Sequence, residues 1–297
     1  MDYRGITNNT KVVHNFVKYH HKTYDTISPL KADLTNKSVV ITGASKGVGY
    51  ATAISFAKAG CSKIAIAARS SLDKLEAEIK EAAKAAGRTE PVVVSAKVDV
   101  TSESDVKSFA SQVGEKFGGS VDLLINNAGY LEEWAPFAET KPDEWWKTWE
   151  VNIKGLYLCS VHFIPLVLES STKTIFNISS NGAHNTTTGA SAYQTTKFAV
   201  CRLTEFMTND HWEKGLVAIA LHPGSVMTEL ASGMPEHMHK LLIDNPELPG
   251  DAMVWFGKER REWLAGRFVC INWDVEELEA RKQEIVEKDL LKFRIIV

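Results

Sequence analysis

The sequence predicts one doubly wound α/β domain, a parallel sheet covered by helices on both faces. Short apolar or β-branched runs alternate with longer helical patterns between about residues 37 and 272, and such alternation builds βαβ units. The short runs show no polar alternation, as strands buried on both faces do not. No proline-rich linker, internal repeat or low-complexity segment divides the 297 residues, a length that one large domain accommodates.

Taken in order, residues 1–36 form a mostly polar extension with a short apolar stripe (Val12, Val13, Phe16, Val17), expected to lie on the body. A β-branched run at 38–41 reads as the first strand, followed by a glycine-rich turn and a helix to about residue 59. Further strands are expected at 63–68, 91–98 and 121–126. An amphipathic helix at 72–86 ends at Gly87 and another at 103–117 ends at Gly118-Gly119, glycine being the usual residue just past a helix. The second half continues with a long helix at 143–168, a strand at 173–179, a helix at 191–212 and a strand at 217–222. Residues 225–264 are irregular and helical by turns, 267–271 make a last short strand, and the tail 273–297 carries a charged helix at 276–288.

Composition narrows the function. A formal charge of −3 with no block of like charge argues against a nucleic-acid partner. Cys61, Cys159, Cys201 and Cys270 lie far apart in apolar stretches, where thiols act as small hydrophobes, so no disulfide framework or metal knuckle is expected. His20-His21 and the His237/His239 pair lack a third ligand at suitable spacing and read as solvated, so no metal is expected. Residues 1–36 contain no apolar core of a secretory signal, and nowhere do 18 uncharged apolar residues run together. A cytoplasmic protein with no membrane partner is the expectation. Trp145, Trp146 and Trp149 lie at helical spacing and read as packing residues.

Two patterns carry chemistry. Thr42-Gly43-Ala44-Ser45-Lys46-Gly47-Val48-Gly49 follows a strand and opens a helix, the setting of a phosphate-binding turn. Gly43 permits a tight turn, Gly47 lets backbone approach a pyrophosphate, and Gly49 allows close helix–strand packing. The helix N-terminus offers free N–H groups to the anion. Tyr193 and Lys197, four residues apart on one helix face, form the second pattern. An ammonium beside a phenol favours phenolate and turns tyrosine into a usable acid or base.

At this point the chain closely resembles the short-chain dehydrogenase/reductase family. The family's T-G-x-x-x-G-x-G is met by Thr42 to Gly49, and its N-N-A-G by Asn126-Asn127-Ala128-Gly129. Its V-N-x-x-G falls on Val151 to Gly155, with Asn152 the asparagine; its Y-x-x-x-K is Tyr193 and Lys197, and its P-G-x-x-x-T is Pro223-Gly224-Ser225-Val226-Met227-Thr228. Ser180, thirteen residues before Tyr193, matches the family serine better than its neighbour Ser179. The resemblance implies a Rossmann-type domain over 37–272 with a seven-stranded parallel sheet and a lid at about 225–255. It also implies roles. Tyr193 exchanges a proton with the substrate oxygen, and Ser180 hydrogen-bonds that oxygen. Lys197 binds the nicotinamide ribose and depresses the tyrosine pKa, and Asn152 holds a water that links Lys197 to solvent. Asp99, with Val100 beside it, matches the family residue near the adenine ring. A homodimer or homotetramer through the helices at 143–168 and 191–212 follows from the same resemblance. The latter half, with Trp263-Leu264-Ala265-Gly266-Arg267 and Asn272-Trp273-Asp274, looks like fungal members, many of which act in secondary metabolism.

The second strand ends Ala67-Ala68-Arg69-Ser70, without the carboxylate that NAD-selective sites place there. Arg69 and Lys46 suit a 2′-phosphate, so NADP(H) and the reductive direction are expected. The segment after Gly224 carries Met227, Leu230, Met234, Met238, Leu241, Leu242, Ile243, Met253 and Trp255. A methionine-rich wall adapts to varied apolar shapes. It favours a bulky, uncharged carbonyl compound, polyketide- or terpenoid-like, over a phosphorylated sugar or a thioester. Two rival readings keep the fold: an epimerase or dehydratase that retains its cofactor, and a non-catalytic NADP-binding regulator. The first needs further acid–base groups beside Tyr193, and the second has no need of Ser180, Tyr193 and Lys197 together.

Overall fold

The structure is a computed structural model that describes residues 13–295; Val12 of the N-terminal stripe lies outside the described residues. Seven strands, β1 (Ser38–Thr42), β2 (Lys63–Ala68), β3 (Val92–Lys97), β4 (Leu123–Asn126), β5 (Thr174–Ile178), β6 (Val217–His222) and β7 (Phe268–Cys270), form one sheet in the order β3-β2-β1-β4-β5-β6-β7. Every neighbouring pair is parallel. The helices are α1 (Gly47–Lys58), α2 (Asp73–Ala85), α3 (Glu103–Phe117), α4 (Pro142–Trp149), α5 (Leu156–Leu168), α6 (Ser191–Asp210), α7 (Leu248–Gly257), α8 (Val275–Ala280) and α9 (Lys282–Glu287).

Successive residues of one strand enter different cores. Val39 and Ile41 of β1 pack with Phe56 of α1, Ile79 of α2 and Val254 of α7. Val40 between them packs with Phe109 of α3 and Phe163 of α5 on the other face. A strand that is apolar at every position is thereby accounted for: both its faces are interior.

The long helix expected over 143–168 is interrupted. Glu150–Gly155 forms a π turn between α4 and α5; such an extra residue per turn is frequent at functional sites. It turns Asn152 inward to only 2% exposure. Gly155 sits so close to Val100 that a Cβ would stand 2.6 Å from Val100 Cγ2. By length and composition the helix over Pro142–Leu168 could cross a membrane; here it lies along the sheet, with Leu158, Cys159, Phe163 and Val167 buried. Trp146 departs from the packing expectation and is 60% exposed.

Segments before β1 and after β7 are tied into the main core. Val13, Val17, Ile27 and Leu34 pack in one cluster with Trp273, Val275, Leu278 and Ile285, each such burial contributing about 2 kcal/mol. Tyr19 bridges to Trp273, and Trp273 Nε1 donates to Val13 O at 2.7 Å. The single helix expected at 276–288 is two, broken at Arg281, whose guanidinium stacks 3.9 Å over the Phe16 ring. His20 is shielded rather than solvated, its Nε2 meeting Asp274 at 2.9 Å, while His21 stays half exposed as its Nδ1 meets Asp244 at 2.5 Å.

Candidate active site

The chain leaves β1 in one direction for β2 and returns beyond β1 to β4. Ligands bind in the crevice such a switch point opens at the strands' C-terminal ends. Here the turn after β1 is locked to the end of β4. Thr42 Oγ1 accepts from Asn127 N and Ala128 N, each at 3.1 Å, and Asn127 Nδ2 donates to Thr42 O and Gly43 O at 2.9 and 3.1 Å. Gly43 has φ +65°, and a Cβ there would stand 2.7 Å from Ala128 Cα, so only glycine fits.

A cavity of about 1030 Å³ opens along this edge. At one end it is lined by Arg69, Ser70, Asp99 and Val100, and in the middle by Gly43, Ser45, Lys46, Gly47, Val48, Ala128 and Gly129. At the other end stand Ser180, Tyr193, Lys197, Pro223, Gly224, Val226 and Thr228. The π turn, the end of β5 and the first turns of α6 bring the three catalytic candidates together. Lys197 is 4% exposed and donates from Nζ to Ile178 O at 2.8 Å; the ammonium lies 5.4 Å from the centroid of the Tyr193 ring. Ser180 Oγ accepts from Gly182 N at 2.9 Å and lines the same cavity as Tyr193. Ser179 faces away, donating to Lys197 O at 2.8 Å, so Ser180 is the serine at the tyrosine.

A family model for short chain dehydrogenases matches residues 37–239. The chain belongs to the short-chain dehydrogenase family. It is 48% identical over 280 residues to short chain dehydrogenase mpl6 of Monascus purpureus, covering 94% of this chain and 96% of that one. To short chain dehydrogenase pigC of Monascus ruber it is 41% identical over 280 residues, covering 93% and 92%. The solved 3-ketoacyl-(acyl-carrier-protein) reductase from Brucella melitensis, complexed with NADH, superposes with a TM-score of 0.71 at 25% identity, covering 80% of this chain and 97% of that one.

The cavity of this short-chain dehydrogenase fits the nicotinamide dinucleotide that the family binds. Gly47 has φ +59°, and a Cβ there would come within 3.1 Å of Thr228 Cγ2; the bare backbone leaves a cradle that a side chain would close. Other expected cofactor contacts fall elsewhere. Gly49 does not line the cavity; it packs the helix on the turn, where a Cβ would meet Gly43 O at 2.6 Å. Asn126 is buried below the site, donating to Ser160 Oγ at 3.0 Å and Asn177 Oδ1 at 2.8 Å, and its neighbour Asn127 lines the cavity instead. Lys46 is paired with Glu229 at 2.5 Å, both well exposed, whereas Arg69 has no ion pair among the described residues.

The expected tyrosine depression is absent in this arrangement. Tyr193 is recessed in the protein, and burial, with a contribution from Glu132, pushes its phenol up to about 12 against a lowering by Ser180. Burial likewise pulls Lys197 down to about 8. The Asn152 side chain ties two elements together. Nδ2 donates to Tyr130 O and Thr196 Oγ1, each at 3.0 Å, and Oδ1 accepts from Tyr130 N at 2.8 Å. It braces the loop after β4 against α6.

Glu132 on that loop was not evident from sequence. It is 3% exposed, and Oε1 accepts from Ala192 N at 3.1 Å and Tyr193 N at 3.0 Å, while Thr148 Oγ1 donates to Oε2 at 3.3 Å. Ala190 precedes α6 with no capping side chain, so Glu132 supplies the cap from across the site. In the lid, Leu230, Met234, Met238, Leu241, Leu242 and Ile243 line the cavity as expected. Met227 faces outward at 49% exposure, and Met253 and Trp255 belong to the core at 0% and 4%. The wall ends near Asp244.

Proposed function

We propose that this short-chain dehydrogenase reduces a bulky, mostly uncharged ketone or aldehyde to an alcohol with NADPH, and runs the reverse oxidation when the alcohol is in excess. The observation that carries the reading is the convergence of Ser180, Tyr193 and Lys197 at one end of a single cavity whose middle is a glycine cradle. The bound nicotinamide supplies hydride to the carbonyl carbon. The chain's own residues handle the oxygen and its proton. A phenol pushed up to about 12 stays protonated at neutral pH, the form that can donate to the substrate oxygen. The Ser180 hydroxyl, lining the same cavity as that phenol, is assigned to donate to the oxygen as negative charge builds. The phenolate left behind has the Lys197 ammonium 5.4 Å from its ring centroid, and burial strengthens that attraction. NADPH is favoured over NADH because Arg69 stands at the end of β2 where no carboxylate competes.

Epimerisation needs a further acid–base group beside Tyr193. The carboxylate that contacts its helix turn, Glu132, is committed to three hydrogen bonds and does not supply that group. Tyr157 and Val161 on α5 and Phe198 and Phe206 on α6 are all more than 40% exposed; they support a homodimer or homotetramer, to be checked by light scattering. Four buried free cysteines support a reducing, cytoplasmic setting, and a role in secondary metabolism fits the fungal relatives. The test is consumption of NADPH and NADH with a panel of apolar and anionic ketones and aldehydes. NADPH consumption with apolar members is expected. A kcat/KM at least about tenfold higher for anionic members, worth ~1.4 kcal/mol, refutes the substrate reading, and no consumption of either cofactor refutes the reaction.

A further inference from the structure

The dehydrogenase region begins at residue 37, yet three side chains that precede it, His14, Tyr19 and His21, line the active-site cavity. They project from a strap that is firmly seated. His20 N donates to Asn272 O at 2.7 Å, and Asn272 Nδ2 returns a bond to His20 O at 2.8 Å. Asn245 N donates to His21 O at 2.8 Å, and Thr23 Oγ1 to Asp251 at 2.6 Å.

Position decides which end of the cavity the strap walls. Its anchors are Asn272 and Trp273, just past β7, and the Tyr19 hydroxyl accepts from Cys270 Sγ, on β7 itself, at 3.7 Å. Arg69 and Asp99 stand on the far side of β1, at the ends of β2 and β3. The strap therefore belongs to the end where Ser180 and Tyr193 stand. The buried carboxylate of Asp244 also couples it to the loop after β6: Oδ1 meets His21 Nδ1 at 2.5 Å, and Oδ2 accepts from Ser225 N at 2.5 Å and Asn272 Nδ2 at 2.8 Å.

We propose that this strap is a specificity-determining wall of the substrate subsite and that it selects carbonyl compounds bearing a planar aromatic ring. The inference rests on the carbonyl-reductase reading above. Three ring side chains stand together: the centroids of His14 and Tyr19 are 4.4 Å apart and those of Tyr19 and His21 are 5.3 Å apart, tilted by 46° and 57°. Tilted rings present both faces and edges to a flat partner, and aromatic pairs favour such offset and edge-on contacts. The Met238, Leu241, Leu242 and Ile243 side chains complete the lining with flexible apolar surface. The one ionic contact among the three rings, His21 with Asp244, is internal, so nothing in the strap asks for a charged ligand.

The test uses the full chain with NADPH added, which cannot oxidise an alcohol, and two alcohols of equal bulk, 2-naphthalenemethanol and its fully saturated decalin analogue. Binding is read by calorimetry for the unaltered protein, for Tyr19→Leu, and for His14→Ala, whose exposed side chain makes it safe for folding. Each variant is expected to bind the aromatic alcohol about tenfold more weakly, the decalin analogue less than about twofold more weakly, and NADPH equally well. Equal losses on both alcohols, or none on the aromatic one, overturn the proposal. Reduction of the matching aldehydes by the unaltered protein is measured alongside. Failure there overturns the carbonyl-reductase reading, and the binding contrast still decides the strap's role.

Discussion

Glu132 holds two things at once, and removing either has a size that the structure sets. In Glu132→Ala, the amides of Ala192 and Tyr193 lose an ionised acceptor in a closed site, at about 1–2 kcal/mol each. The sum, about 3 kcal/mol, should lower the melting temperature by roughly 5–10 °C in a domain of this size. Glu132→Gln keeps an oxygen for both amides and loses only the charge, so it should cost ~1 kcal/mol or less. Its effect falls on Tyr193. The Glu132 charge raises the phenol's pKa, so the glutamine variant should have a more acidic tyrosine. Reduction requires the protonated phenol; activity is present below its pKa and lost as pH rises through it. The alkaline limb of kcat should therefore move to lower pH in Glu132→Gln, with KM for NADPH unchanged. The assay is a pH profile of NADPH-dependent reduction beside thermal melts of both variants. An unmoved or upward-shifted limb, or an alanine variant that melts with the parent, would refute the reasoning.

Tyr193→Phe should bind NADPH normally and lose nearly all turnover, because the proton is needed only as charge builds on oxygen; retention of more than about a tenth of the rate, a barrier change of only ~1.4 kcal/mol, would place proton donation elsewhere. Arg69→Asp should reverse the cofactor preference toward NAD(H) by removing a cation and adding repulsion, and equal calorimetric affinities of the unaltered protein for both cofactors would contradict the assignment. Burial pulls His222 down to about 3 and His184 to about 4, below the ~6.5 of an unfolded histidine. The unfolded chain then takes up protons that the fold refuses, so stability is full above about pH 6.5 and falls as pH drops toward 4. Melting temperatures across that window should decline, and less steeply in His222→Asn; identical slopes in the two proteins would remove His222 as a cause.

Local features were legible in the residues themselves. Every strand sits within two residues of its expected place: a buried strand such as β1 advertises itself as an unbroken apolar run, and β3, at the sheet edge with no buried residue, is marked by its run of valines. The glycine turn was readable because chain geometry alone demands glycine at Gly43. Spacing on one helix face brought out Tyr193 and Lys197. What escaped were pairings across the chain. Glu132 looks like any loop carboxylate until the uncapped start of α6, 60 residues on, is seen above it. His20 looks solvated until Asp274 arrives from far along the sequence. Methionine content could not separate Met238, which lines the cavity, from Met253, which packs against α1, because both environments are apolar.

The clasp between the segments before β1 and after β7 also sets a timetable. His20 is joined to Asn272 across 252 positions of sequence, so the strap's seating is incomplete until the ribosome has delivered β7 and the tryptophan after it. The nucleotide-binding half can assemble while synthesis continues, but one wall of the substrate subsite must wait for the chain to be nearly complete. Contacts this distant in sequence close late and slowly. Nascent chains stalled before residue 272 should therefore bind cofactor before they acquire any taste in substrates.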